Sequence, residues 1–234
     1  MSIKVSLDQL LESGAHFGHQ TRRWNPKMEE YLYGDENGVH IFDLTKTKPL
    51  IEEALGFLTK AASEGKTIVI LGTKKQIKEK VAEVAEKAGV PYVNERWLGG
   101  TISNFPQMKR SLKKLEEMKV NMAEGAYKRY TKKERLLIER EIARLERFFG
   151  GIKDLTDIPQ VLFVVDSKRE AGAVREANTG KVTVVGIVDS NSDPEVLDYP
   201  IPMNDDASKA LEYVLELVGE AIMEGKKKIK NVKN

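Results

Sequence analysis

YVNERWLGGTISNF, residues 92–105, divides the chain into two kinds of sequence. Upstream of it, apolar β-branched runs alternate with amphipathic helical segments. Downstream come two long, heavily charged helical segments, and the strand–helix alternation resumes only at Pro159. The stretch therefore reads as a junction at which a compact α/β body lets out an arm. Gly99 and Gly100 supply backbone angles closed to other residues. Arg96 beside Trp97 sets a cation next to the largest aromatic ring, which suits stacking or RNA contact. A Trp buried at a tight turn is the other reading of the same pair.

Working upstream, TIVILG (residues 67–72) is apolar and largely β-branched, with no polar alternation. Such runs read as parallel strands covered on both faces. The spacing of Ile77, Val81, Val84 and Ala88 predicts a helix over 74–88, closed by Gly89 and Pro91. Before the strand, Leu50, Ala54, Leu58 and Ala61 line a helix that Thr45 or Thr47 caps, with Pro49 in its first turn. Residues 39–44 read as a short strand. The stretch 16–34, HFGHQTRRWNPKMEEYLYG, has no clean period and reads as a loop packed on the body. Ser6 and Gln9 resemble a capping box for a short helix that Gly14 stops.

Working downstream, Met108, Leu112, Leu115 and Met122 form one helical stripe, and Ile138, Ile142, Leu145 and Phe149 another. Asn104 is a fair cap for the first, and Thr131 with Glu134 a capping box for the second. Two arms of about 18 residues joined by a short polar connection make an antiparallel hairpin reaching roughly 27 Å. After Pro159, VLFVVD (161–166), VTVVGIVD (182–189) and 201–203 read as strands. Helices near 170–178 and 207–223 separate and follow them, with Gly225 ending the last. The expected organisation is an α/β body over 1–103 and 152–225, a helical hairpin inserted at 104–151, and a basic flexible tail at 226–234. Strands alternating with helices imply a doubly wound parallel sheet in a three-layer α/β/α body.

Bulk properties narrow the function without choosing it. Across 234 residues, 38 Lys and Arg face 36 Asp and Glu, so where the charge sits matters more than its sum. Cysteine is absent, which removes disulfides and thiolate metal sites. No apolar run approaches the ~18 residues of a membrane helix. Asp8 and Glu12 make the N-terminus unlike a secretory signal. A cytoplasmic protein is expected.

Gly65-Lys66-Thr67 and Gly72-Thr73-Lys74-Lys75 lack the spaced glycines of a nucleotide loop. No Ser or Cys nucleophile motif appears, and His16, His19 and His40 form no general-base arrangement with an obvious nucleophile. Asp166 and Asp189 end strands, with Asp193, Asp205 and Asp206 in loops at the same rim. Such aspartates set turns and caps, or hold a hard cation such as magnesium, to which His16 and His19 would add nitrogen ligands. For nucleic acid the signal is distributed. Arg22, Arg23, Trp24 and Lys27 form one basic–aromatic group, and Arg96 with Trp97 a second. Lys109, Arg110, Lys113, Lys114, Lys132 and Lys133 on the hairpin form a third, and the Lys226–Lys230 tail a fourth. Several separated contacts, dominated by phosphates, would suit a shaped RNA surface. A solvated charged face is the alternative for the hairpin.

HFGHQTRRWNPKM, NERWLGGTISNF, GGIKDL, DSNSDP and IPMNDDA occur in that order, with the helical insert between the second and third. On these motifs the chain resembles the universal small-subunit ribosomal protein two family, in its bacterial form, from about Ser6 to Gly225. Ile102-Ser103 stands where members often carry Leu-Thr. The resemblance implies a flavodoxin-like body with a protruding coiled-coil hairpin and a structural, non-enzymatic role in the small ribosomal subunit. It further implies contact with small-subunit ribosomal RNA and with other ribosomal proteins, including the large messenger-binding first protein that it helps to anchor. Zinc is reported for some members, and here His16 or His19 with Asp189 and Asp205 would be the site. The competing readings are a small-molecule or metal-binding enzyme at the acidic rim, and a protein adaptor working through the hairpin.

Overall fold

The computed structural model describes residues 3–232. In chain order the elements are α1 (Leu7–Glu12), β1 (Phe17–Gln20), β2 (Leu32–Glu36), β3 (Val39–Phe42), α2 (Leu44–Ser63), β4 (Ile68–Leu71), α3 (Lys78–Ala88) and β5 (Tyr92–Val93). They continue with α4 (Phe105–Ala123), α5 (Lys132–Phe149), β6 (Val161–Val164), α6 (Ala171–Thr179), β7 (Thr183–Val188), β8 (Tyr199–Pro202) and α7 (Ser208–Val232). Strands β4 to β8 form a parallel sheet in the order β5-β4-β6-β7-β8. That order, reversing beside β4, is the doubly wound, flavodoxin-like arrangement.

Every residue of β4 and β6 is buried, and the period-two geometry of a strand deals them to two cores. Ile68, Ile70, Phe163, Val185 and Ile187 face a core with α2, α3 and α7. Val69, Leu71, Leu162, Val164, Val184 and Val188 face the other, with Ala173, Val174 and Ala177 of α6. The second core also takes Ile102 from the junction, Phe105 and Met108 from the root of α4, and Phe149 from the root of α5. The charged helix pair thus grows out of the sheet's own packing layer. A 3₁₀ turn, Ala126–Arg129, joins the two helices. The Thr131–Glu134 capping box is formed at the start of α5. Leu115 and Leu145 are buried along the pair, and Lys114 with Glu141 (3.6 Å) and Lys119 with Glu146 are ion-paired across it.

Four expectations are corrected. The stretch 16–34 is not a loop: β1 and β2 flank β3 in an antiparallel sheet of order β1-β3-β2. Asn37 (φ 51°) and Gly38 (φ 76°) make the turn between β2 and β3, the dipeptide such hairpins favour. The strands escaped a periodic reading because β2 is almost wholly exposed and the register slips between Leu32 and Gly34. Asp43, rather than Thr45 or Thr47, caps α2, its carboxylate accepting the Thr45 N–H at 3.0 Å. Pro49 lies inside the helix, and Thr47 is buried with its hydroxyl donating to the Pro202 carbonyl at 2.7 Å. α3 starts at Lys78 instead of Lys74, because Lys74 turns inward. Gly225 does not end α7, which runs on to Val232, so residues 226–232 are helical and not a free tail. A Cβ at Gly225 would lie 2.3 Å from the Thr59 carbonyl oxygen, so this glycine lets α7 cross α2 closely. Lys226 then donates to the Ala88 and Gly89 carbonyls at the end of α3, at 3.0 and 2.6 Å. The last two positions of the tail, 233–234, lie outside the described residues.

Candidate nucleic-acid interface

The carboxyl ends of the parallel strands gather the rim aspartates around a protein ammonium. Lys74, 8% exposed, places Nζ 3.0 Å from Asp166, 2.6 Å from Asp205 and 2.9 Å from Asp206. Burial opposes its charge, but these carboxylates outweigh burial and raise its pKa above that of ordinary lysine. Burial, with Asp189 and Asp166 nearby, pushes Asp205 up to about 7 against the pull of Lys74. Asp189 is fully buried. It accepts the Ser190 N–H and hydroxyl on one oxygen and the Asp205 N–H, at 3.1 Å, on the other. Asp166 accepts the Arg169 N–H at 2.7 Å. The aspartates set turns, as one reading expected, and also neutralise an internal lysine, which no sequence spacing announced.

The weak metal candidates are only partly brought together. His19 Nδ1 lies 3.0 Å from Asp189, and that hydrogen bond raises the imidazole pKa. His16 sits apart against Phe17, and burial lowers its pKa. Among the described residues no group of three His, Asp or Glu side chains is placed to hold a metal ion.

The basic groups divide into spent and free charges. In the 22–27 group, the Lys27 ammonium is held by Asp193 (2.8 Å) and Glu195, hydrogen bonds that raise its pKa. Trp24 packs against the His40 ring at 5.0 Å. The segment is pinned to the rim by the Asn25 N–H on the Ser190 carbonyl, 2.7 Å, and by the His19 N–H on the Ser190 hydroxyl, 2.8 Å. That leaves Arg22 and Arg23, both exposed, on the 3₁₀ turn Thr21–Arg23. Among the described residues Arg22 meets only the Gln20 amide oxygen, at 2.9 Å.

At the junction, Arg96 and Trp97 do not act as a pair. The Trp97 indole N–H donates to Glu176 of α6 at 2.8 Å, and its ring packs on the second core. The other Glu176 oxygen accepts from the Ile102 N–H (2.9 Å), the Ser103 N–H (2.7 Å) and the Ser103 hydroxyl (2.8 Å). Burial works against the Glu176 charge, but these donors prevail and hold its pKa below the usual carboxylate range. Trp97 is therefore the half-buried anchor of the junction, and Arg96 projects from it into solvent.

On α4, Lys109 lies 5.7 Å from the Phe105 ring, and Arg110 approaches Gln107 at 3.5 Å. Lys113 and Lys114 make loose pairs, 3.6 Å from Glu117 and Glu141. Lys132 and Lys133 are exposed in the first turn of α5. A helix dipole disfavours cations there, so their position gains nothing for the helix itself. Lys109, Arg110, Lys113 and Lys119 line a 640 Å³ cleft with Lys153, above an apolar floor of Leu112, Leu115 and Leu155. Lys153 and Arg169 were missed as basic residues of interest, because each sits among charges of both signs in the sequence.

A family model described as ribosomal protein S2 matches residues 10–225. The match spans both sheets, the junction and the α4–α5 pair. The chain belongs to the ribosomal protein S2 family. It is similar to the small ribosomal subunit protein uS2 of Coprothermobacter proteolyticus, 45% identical over 222 residues, covering 95% of this chain and 83% of the relative. The S2 family is one of ribosomal structural proteins rather than enzymes. No helix among the described residues is long and apolar enough to cross a membrane.

Proposed function

We propose that this protein is a structural constituent of the small ribosomal subunit. In this reading it holds small-subunit ribosomal RNA at separate footholds, in the cytoplasm, and helps to seat the large messenger-binding first protein. The observation that carries the RNA reading is the contrast in ion pairing. Among the described residues, Arg22, Arg23, Arg96, Lys109 and Arg110 have no carboxylate partner, while Lys27, Lys74 and Lys78 do. Unpaired guanidinium and ammonium groups are the ones that neutralise phosphates and release counterions. The footholds come from different elements, the rim segment, the junction and α4, so a bound RNA would bridge the body and the helix pair. The rival enzyme reading loses its site, because the Lys74 ammonium fills the centre of the acidic rim.

The test is co-sedimentation with small subunits lacking this protein, across a salt series. The quadruple reversal of Arg22, Arg23, Lys109 and Arg110 to Glu is expected to weaken association and flatten its salt dependence, by roughly 0.7–0.9 in log–log slope per lost phosphate contact. Unchanged association at every salt concentration would overturn the proposed footholds. Loss of the messenger-binding first protein from subunits lacking this chain, and its recovery on adding the chain back, tests the anchoring role.

A further inference from the structure

The parallel sheet reverses its winding between β4 and β6, since the chain leaves β4 for β5 on one side and β6 for β7 on the other. Crevices beyond the carboxyl ends of strands at such a switch point are the usual ligand sites of open α/β sheets. A cleft of 460 Å³ lies at this point, bounded by Thr73 after β4, Arg169 and Glu170 before α6, and Arg96 and Trp97 of the junction. It is distinct from the Lys74 cluster and from the α4 cleft. Its size falls within the about 300–1,000 Å³ of small-molecule sites, well above what a bare phosphate needs.

We propose that this cleft binds a single ribonucleoside monophosphate unit, its phosphate held by Arg96 and Arg169 and its base set against Trp97. Arg96 has no hydrogen-bond or ion-pair partner among the described residues. Arg169 is oriented by its Nε donating to the Thr73 hydroxyl at 3.0 Å, which leaves its outer nitrogens available. Glu95 also borders the cleft, but Lys78 (2.8 Å) and Arg147 (2.6 Å) neutralise it. The Glu170 carboxylate is buried and takes the Thr73 hydroxyl. Arg169 shares that hydroxyl and its charge acts on Glu170, which leaves Arg96 as the unpaired cation of the cleft. An anion is favoured on balance. The aromatic wall argues for more than an anion: Trp97 is held by Glu176, so stacking a base on it costs no ordering of the ring. Two glycines, Gly99 and Gly172, border the cleft. A Cβ added at Gly99 or Gly172 would meet nothing within 4 Å, so a ligand reaches the chain itself there. The Gly172 and Ala173 amides, in the first turn of α6, have no intrahelical acceptor and border the same space.

The unit can come from a free nucleotide or from an unstacked position in an RNA strand. The site rests on the junction foothold proposed above, since it uses Arg96, whereas Arg22, Arg23 and α4 take no part. The experiment is nitrogen-15 NMR of the full chain, whose two Trp indole N–H signals are assigned by Trp24→Phe. Adenosine 5′-monophosphate is expected to shift the Trp97 signal saturably and leave Trp24 in place. Arg96→Ala is expected to weaken that binding about tenfold, as loss of one charge-assisted contact does. Gly172→Leu puts a side chain into the open cleft and is expected to abolish the shift. Leu has the better helix propensity, so its unfolding midpoint should not fall. A single-stranded octa-adenylate that moves the same signal at lower concentration identifies an RNA strand as the source, and one that needs a higher concentration identifies the free nucleotide. No saturable Trp97 shift with adenosine 5′-monophosphate, or equal affinity in wild type and both variants, overturns the proposal. Subunit binding is read separately by sedimentation, so that result would leave the structural role untouched.

Discussion

The carboxyl rim of the sheet and the outer face of α4 carry the same kinds of residue and use them in opposite ways. At the rim, three cations are answered by carboxylates. Lys74 has three carboxylates, Lys27 has two, and His19 leans on Asp189. On α4, Lys109 and Arg110 meet a ring and an amide, and the carboxylates near Lys113 and Lys114 stand 3.6 Å off. A buried charge must be paired or it destabilises the fold, whereas an exposed one pays little for standing alone. The comparison teaches that a count of basic residues says nothing about nucleic-acid binding until the spent charges are subtracted. By that measure Lys27 and Lys74 belong to the fold, and Arg22, Arg23, Arg96 and the α4 row are available.

The sharpest way to break this contrast is Lys74→Met. It leaves Asp166, Asp205 and Asp206, two of them buried, without the ammonium that joins them and with only His19, 3.7 Å from Asp206, nearby. The loss should be about 3–5 kcal/mol in urea unfolding, as for other broken buried ion pairs. An unchanged midpoint would mean that the aspartates, not the lysine, organise the rim. Next comes Glu176→Ala, which frees the Trp97 indole and the Ile102 and Ser103 amides together. A cost of about 2 kcal/mol is expected, with a red shift of Trp97 emission. Loss of stability without that shift would place the damage elsewhere than the junction.

The pH dependence should be smaller and has a definite sign. His19 has its pKa raised in the fold, so its contribution is fully present below about 6.5 and is lost as pH rises through the higher folded value. Asp205, raised to about 7, also binds its proton more tightly folded than unfolded. Stability should therefore fall between pH 5 and 8. His19→Gln should flatten that decline, and a stability rising over this interval would refute the coupling. The smallest effect is expected on the other side of the comparison. Reversing Arg22 and Arg23 to Glu should leave the unfolding midpoint within about 0.5 kcal/mol of wild type. The same change is expected to weaken subunit association, so stability and binding separate cleanly at this site.

Much of this could be read from the chain. TIVILG and VLFVVD announced buried parallel strands because a strand covered on both faces has no polar positions to spare. Thr131 and Glu134 announced the start of α5, since a capping box closes within one turn. Asn37-Gly38 was equally local and was overlooked, because its exposed flanking strands carry no alternation to confirm it. Gly225 misled because a glycine late in a helix usually ends it. Here it marks a helix crossing, which only the partner helix α2 reveals.

By itself, then, the sequence determined the alternating α/β body, the charged helix pair and the family, since these rest on periodicity, local capping and ordered motifs. The tertiary structure alone decided which cations are spent and which are free. It also decided that Trp97 faces Glu176 from α6, and that Arg96, Arg169 and Thr73 share one cleft. The physical reason is that ion pairing and cavity shape depend on separations of a few ångströms between residues far apart in the chain, and folding alone sets those separations.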